Sequence, residues 1–204
     1  SAGDILVERL RGVGVGNTHP ISERFTTEMN TAGLNVKLFS KEQDMKWSKM
    51  LTNLIANASS AILDMPPAEI FENPRLYKLE IDQLRETLAV MNAQDINVVD
   101  LPGTPVRLLA FAVSKLPLAI SRPFLKKAVG SGRGGKMPSF HIDLHSGRGK
   151  SEVNYLNGAV VRAGQEFGIP TPVNQILTET LLRLTNSETQ ISQFERQPGR
   201  LLKF

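Results

Sequence analysis

The period of the hydrophobic positions changes near residue 40, and the change divides the chain. Before it, Ile5-Leu6-Val7 predicts a short strand and Gly12 to Asn17 a glycine-rich loop. Ser22 to Ala32 predicts a helix with Phe25 and Met29 on one face. Gly33 can close that helix, and Leu34 to Phe39 alternates as a strand does. This β-turn-α-β pattern, residues 1–40, is too small to bury a core of its own. It reads as the end of an α/β domain whose body lies upstream.

From about Lys41 the spacing becomes helical. Trp47, Leu51, Leu54, Ala58 and Ile62 share one stripe and predict a single helix from near Glu42 to Leu63, ended by Pro66-Pro67. Asn73-Pro74 supplies a capping amide and a proline at the first helical position. The helix it opens carries Tyr77, Ile81, Leu84, Leu88 and Met91. After Pro102-Gly103, two shorter helices are predicted near Pro105 to Lys115 and Leu118 to Val129, then a flexible loop from Gly130 to Gly135. A helix beginning near Ser151 carries Val153, Leu156, Val160, Ala163 and Phe167, with Gly168 as its cap. Thr171-Pro172 opens the last clear helix, with Ile176, Leu177, Leu181 and Leu184. Residues 41–188 thus form a helical region, and 189–204 a polar tail.

Composition narrows the chemistry. The absence of cysteine excludes disulfides, a cysteine nucleophile and thiolate metal sites, and is compatible with a cytoplasmic protein. His19, His141 and His145 show no metal spacing: His141 and His145 stand four apart, but no carboxylate-rich helix accompanies them. No stretch approaches the roughly 18 apolar residues of a membrane span. The net charge of +4 raises the question of nucleic acid, but the basic residues are scattered and only 6% of the chain is aromatic, so stacking platforms are scarce. A modest positive surplus suits a small anionic substrate or a phosphate-bearing cofactor. The chain opens Ser1-Ala2-Gly3 without an initiator methionine, which reads as a processed or engineered end and leaves room for sequence upstream.

Gly130 to Gly135 matches G-x-G-x-x-G, but a helix precedes it and Met137-Pro138-Ser139 follows. That fingerprint works only between a strand and a helix N-terminus. Gly12 to Gly16 has the wrong spacing. No cofactor cradle is visible.

The candidate chemistry lies elsewhere. Lys49, Asn53 and Asn57 stand at i, i+4 and i+8 of the predicted first helix, on the side away from its apolar stripe. At about 100° per residue they drift by only about 80°. Thr52, Ala56 and Ser60 beside them are small. The spacing alone suits a solvated face, yet such faces usually carry Glu, Lys and Gln, and Asn is poor in a helix interior. The other reading is a row of donors aimed at an anion or a carbonyl. Two further candidates are Met137-Pro138-Ser139 with Asp143, before Gly147-Arg148-Gly149, and the run Ser151 to Gly158. Glu152 in the latter has a plain alternative role, a carboxylate favoured by the helix dipole.

Lys-x-x-x-Asn-x-x-x-Asn, then Pro-Ser-x-x-x-Asp with Gly-Arg, then Ser-Glu-Val-Asn-Tyr-Leu-Asn-Gly-Ala-Val-Val, resembles the ketopantoate reductase family. Gly168-Ile169-Pro170-Thr171-Pro172-Val173-Asn174 is similar to the same family, and the order holds from about Trp47 to Leu182. The resemblance implies a mainly α fold. It is a helical C-terminal domain of the 6-phosphogluconate dehydrogenase C-terminal-like type, preceded by a short α/β remnant of a Rossmann domain. It also implies NADPH, bound mainly by that upstream Rossmann domain, and reduction of a 2-keto acid, typically 2-dehydropantoate to pantoate. By motif, Lys49 would be the general acid. Asn53, Asn57 and Ser139 would bind substrate, and Glu152 would face the cofactor end of the cleft. The expected partners are the keto acid and the chain's own N-terminal Rossmann domain, with a second copy in a homodimer as a further option and no nucleic acid or membrane. The isolated chain is expected to be inactive. Two departures bear on the substrate: Met65-Pro66-Pro67 stands where the family often offers another polar side chain, and Leu101 to Gly135 is longer than in the shortest members. The alternatives are a reductase of another 2-keto acid and a non-catalytic helical dimerisation module.

Overall fold

The computed structural model describes residues 12–133, 136–147 and 149–203, with the backbone alone over 129–133. The expected strand Ile5–Val7 lies outside the described residues, as do Gly134, Gly135 and Arg148.

Two short strands, β1 (Val13–Gly16) and β2 (Val36–Phe39), pair in parallel with Val13 opposite Val36 and Gly16 opposite Phe39. Parallel strands need a crossover, and helix α1 (Ser22–Thr31) makes it. The glycine-rich loop expected over Gly12 to Asn17 is therefore a strand. Its glycines serve packing rather than turning. Residues alternate faces along a strand, so Gly14 and Gly16 share one face. A Cβ on Gly14 would collide with the Met45 sulfur, and one on Gly16 would lie 2.7 Å from Glu42 Cβ. Helix α2 (Glu42–Leu54) can lie against the strand because that face is bare.

The helical region is built round α5 (Pro74–Ala93), which buries Leu76, Tyr77, Ile81, Leu84, Val90 and Met91. Asn73 caps it as expected, its side-chain oxygen accepting from the amides of Arg75 at 3.0 Å and Leu76 at 3.2 Å. Against it pack α2, α9 (Asn157–Phe167) and α10 (Pro172–Thr185). The helices α6 (Val106–Lys115) and α7 (Leu118–Arg133) form a flank. α7 runs four residues past its predicted end, so the loop expected from Gly130 begins as helix.

The largest departure from expectation is the first helix, which is broken in two. After α2 the chain turns at Ile55 and Ala56 and resumes as α3 (Asn57–Leu63). Ala56 takes a left-handed conformation, φ 50°, at a cost of roughly 1–2 kcal/mol for a residue with a Cβ. The break is stabilised from α5. The Glu80 carboxylate accepts from the Ala56 amide at 2.7 Å and the Ser59 hydroxyl at 2.5 Å. The Gln83 amide donates to the Leu54 carbonyl at 3.3 Å. A hydrogen bond contributes about 0.5–1.5 kcal/mol net, so these contacts together are enough to offset the strained residue. All seven residues of α3 are buried. The helical stretch ends at Leu63, before Pro66-Pro67, as expected, and Pro67 also opens the short helix α4 (Pro67–Glu72). A further helix not foreseen, α8 (Ser139–His145), packs along α3.

The helix expected from Ser151 also divides. One 3-10 turn covers Glu152–Tyr155, with Ser151 accepting from the Val153 amide, and α9 starts at Asn157. The reorientation brings Asn157 into the interior. Its amide donates to the Gln83 side chain at 3.1 Å and to Asn174 at 3.0 Å. Gly168 caps α9 at φ 69° as predicted. Residues 189–203 fold back as a 3-10 turn (Ile191–Gln193) and a final short helix, α11 (Pro198–Leu201), which buries Leu201. Among the described residues no helix is long and apolar enough to cross a membrane.

Candidate active site

A cleft of about 720 Å³ opens between β1 and the helical region. Its walls are mostly apolar: Met45 and Met50 from α2, Leu101 and Pro102 from the loop before α6, and Leu156 from the turn before α9. Lys49 and Asn53, both from α2 and one helical turn apart, bring polar atoms to it, as do Lys46, Thr104 and Tyr155. Four residues along a helix return to the same face, so the amine and the amide address the same space.

The electrostatics of the cleft are unbalanced. Lys46, also at its edge, is neutralised by Glu42 at 3.1 Å on its own helix. The Lys49 ammonium forms no ion pair or hydrogen bond among the described residues, and the residue is exposed. A lone cation over an apolar wall is a place for an anion or for a carbonyl oxygen that gains charge.

Asn57 does not join this pair. The break at Ala56 takes it off the face that carries Lys49 and Asn53, and it is 4% exposed. Its carbonyl oxygen accepts from the Phe140 amide at 3.1 Å, and its amide donates to the Ser139 hydroxyl at 3.4 Å. Asn57 thus caps α8 from the neighbouring helix. The structure brings together Asn57 and Ser139, which the sequence places 82 residues apart, but neither lines the cleft. Glu152 is exposed on the 3-10 turn, and its carboxylate has no partner among the described residues. It does not line the cleft either, although Tyr155 at the end of the same turn does. The five residues therefore fall into three places: Lys49 with Asn53, Asn57 with Ser139, and Glu152 beside the cleft-lining turn.

Tyr155 was not singled out by residue-level reading. It is 75% exposed and borders the cleft. A large aromatic in the run Val153-Asn154-Tyr155 outside any apolar stripe was the available signal. The methionine walls, Met45 and Met50, carry no sequence signal of their own.

Residues 42–185 match the family described as ketopantoate reductase PanE/ApbA, C terminal. The chain belongs to that family. A 2-dehydropantoate 2-reductase of Pyrobaculum aerophilum is 27% identical over 168 residues, covering 82% of this chain and 53% of that protein. One from Archaeoglobus fulgidus is 24% identical, covering 76% of this chain and 45% of the relative. The chain thus spans about half the length of the curated relatives it matches. Solved structures share the fold. A ketopantoate reductase of Ralstonia eutropha superposes with TM-score 0.66 at 23% identity, over 87% of this chain and 52% of the other. D-mandelate dehydrogenase in complex with NADH superposes with TM-score 0.67 at 20% identity, over 87% and 55%. The fold is the helical C-terminal domain of ketopantoate reductases, preceded by a two-stranded parallel sheet.

Proposed function

We propose that this chain is the substrate-binding and catalytic half of an NADPH-dependent reductase that converts 2-dehydropantoate to pantoate. The observation that carries the reading is the uncompensated Lys49 ammonium, with Asn53 one turn on, over an apolar cleft. Family membership and the relatives' printed activity point the same way. In this reading residues 1–40 end a nucleotide-binding domain, 41–188 form the reductase's helical domain, and 189–204 are a tail.

The described residues fit one end of the cofactor. Met45, Met50, Leu101 and Leu156 offer flat apolar contact to a nicotinamide ring. They do not fit the pyrophosphate: β1 leads into α1, but Gly14 and Gly16 are followed by His19 where a third glycine would stand. Bound there, a reduced nicotinamide would supply the hydride for carbonyl reduction. Lys49 does the rest of the carbonyl chemistry. Its ammonium hydrogen-bonds the keto oxygen, stabilises the charge that grows there, and delivers the proton. Asn53 donates to a second substrate oxygen and fixes the face presented. Asn57 holds Ser139, an exposed residue at the start of α8, which in this reading offers its hydroxyl to substrate oxygens. Glu152 takes a sugar hydroxyl at the cofactor end.

The test is turnover of NADPH with 2-dehydropantoate, alongside a panel of other 2-keto acids, by the protein carrying its nucleotide-binding domain and by this chain alone. The expected result is turnover in the first, fastest with 2-dehydropantoate, and none in the second. Faster turnover of another 2-keto acid would reassign the substrate. Absence of reduction with every keto acid would remove the enzymatic reading.

An accompanying reading is self-association. Leu108 and Phe111 on α6 and Ile120 and Phe124 on α7 are 50–67% exposed. A ketopantoate reductase of Staphylococcus aureus with this fold is described as dimeric. Light scattering of the full protein decides between a monomer and the dimer proposed.

A further inference from the structure

Away from the cleft, α3 and α8 meet at a second polar cluster. Asp64, the left-handed residue that ends α3, presents its carboxylate to His141 Nε2 at 2.6 Å. His145, one turn further along α8, stacks on His141 with ring centroids 4.1 Å apart and planes 18° apart. Its Nε2 lies 3.2 Å from the Ala61 carbonyl oxygen. Each of the three residues offers a ligand atom, and those atoms all lie within 4.8 Å of one another. None of the three lines the cleft.

We propose that Asp64, His141 and His145 bind a divalent transition-metal ion of the zinc or nickel class, which staples α3 to α8. Three observations support it. Two imidazoles and one carboxylate form a donor set that suits borderline metals and not magnesium or calcium, which prefer all-oxygen shells. Histidines four apart on one helix present their rings to the same space. The site is reachable: His145 is exposed, and the side chains of His141 and Asp64 are 15% and 36% accessible. Tetrahedral zinc sets its ligand atoms about 3.3 Å apart. The cluster must therefore close by up to roughly 1.5 Å, which the proposal assigns to rotation of exposed His145 away from Ala61 and out of its stack on His141. The metal displaces the proton shared by His141 and Asp64 and leaves a fourth position for water. The sequence concealed the site because its carboxylate comes from 77 residues upstream.

The staple joins the same helix pair as the Asn57–Ser139 contact, but the proposal does not depend on catalysis. Its test is calorimetric titration of the full chain with Zn²⁺ and Ni²⁺, with Mg²⁺ as control. One Zn²⁺ per chain is expected, with Kd on the order of micromolar, a Tm raised by saturating Zn²⁺, and no heat with Mg²⁺. His145→Ala, at an exposed position, and Asp64→Asn should each weaken Zn²⁺ at least about tenfold, while His19→Ala changes nothing. Co²⁺ should give the visible absorption of a four-coordinate site in the parent and lose it in His145→Ala. No saturable one-to-one binding, or an affinity unchanged in His145→Ala, overturns the proposal and leaves the cluster an inter-helix ion pair.

Discussion

Lys49 is the residue on which the proposed chemistry turns. Its side chain is exposed and without a partner among the described residues, so the fold does not depend on it. Surface substitutions of this kind usually change stability by less than about 0.5 kcal/mol. Lys49→Ala in the protein with its nucleotide-binding domain should therefore leave Tm unchanged and lower kcat/KM by about 10² to 10⁴-fold. A parallel fall in Tm would mean that the residue is structural. Asp64 gives a prediction of opposite character. Its carboxyl is held below the ordinary range, first by the His141 hydrogen bond, against the opposing effect of burial. A carboxyl depressed in the folded state stabilises the fold above its unfolded range, and that contribution is lost as pH falls through the depressed value. Asp64→Asn should thus lose less Tm than the parent as pH falls below about 4, followed by thermal melts without metal. Equal slopes would show that the pair contributes nothing.

At the scale of elements, the decisive feature is the interruption between α2 and α3. Glu80 is wholly buried and bonds the Ala56 amide, the Ser59 hydroxyl and the Gln83 side chain. Truncation to Ala strands those donors, each at about 1–3 kcal/mol. Glu80→Ala should therefore destabilise strongly in urea, and Glu80→Gln less, because its oxygen can still accept. If both variants unfold like the parent, the break has another origin. The cap of α5 is a smaller and separable effect. Asn73→Ala removes the acceptor for two amides and should cost about 1 kcal/mol, read from the shift of the urea midpoint.

At the scale of the molecule, the cleft exists because β1 and α2 lie close together. Gly14 lines the cleft and faces Met45. Gly14→Val would push α2 away or displace the Met45 side chain, at about 1–3 kcal/mol of overpacking. A lower Tm is expected, together with weaker binding of keto acid by the protein with its nucleotide-binding domain. Unchanged Tm and binding would mean that the strand can shift without disturbing α2. The same contact explains why the glycines were misread. On paper, Gly12 to Gly16 looks like a loop; in the fold, alternate bare positions are what a helix packed on a strand requires.

Local order was legible wherever its cause was local. The stripe on α5, its Asn73 cap, the Gly168 cap of α9 and the prolines opening α5 and α10 each depend on residues within a turn of one another, and all appear as read. The family was legible as well, because its motifs are short runs in order. Lys49 and Asn53 share a face for the same local reason. Tertiary structure decided the rest. The carboxylate that bends the chain at Ala56 lies 24 residues away, the helix that Asn57 caps lies 82 residues on, and the histidine pair meets its aspartate across 77. Periodicity records which face of a segment is buried, not which polar group on another segment will satisfy its backbone. Helix continuity from Glu42 to Leu63 therefore yielded to a buried glutamate that no local pattern could announce.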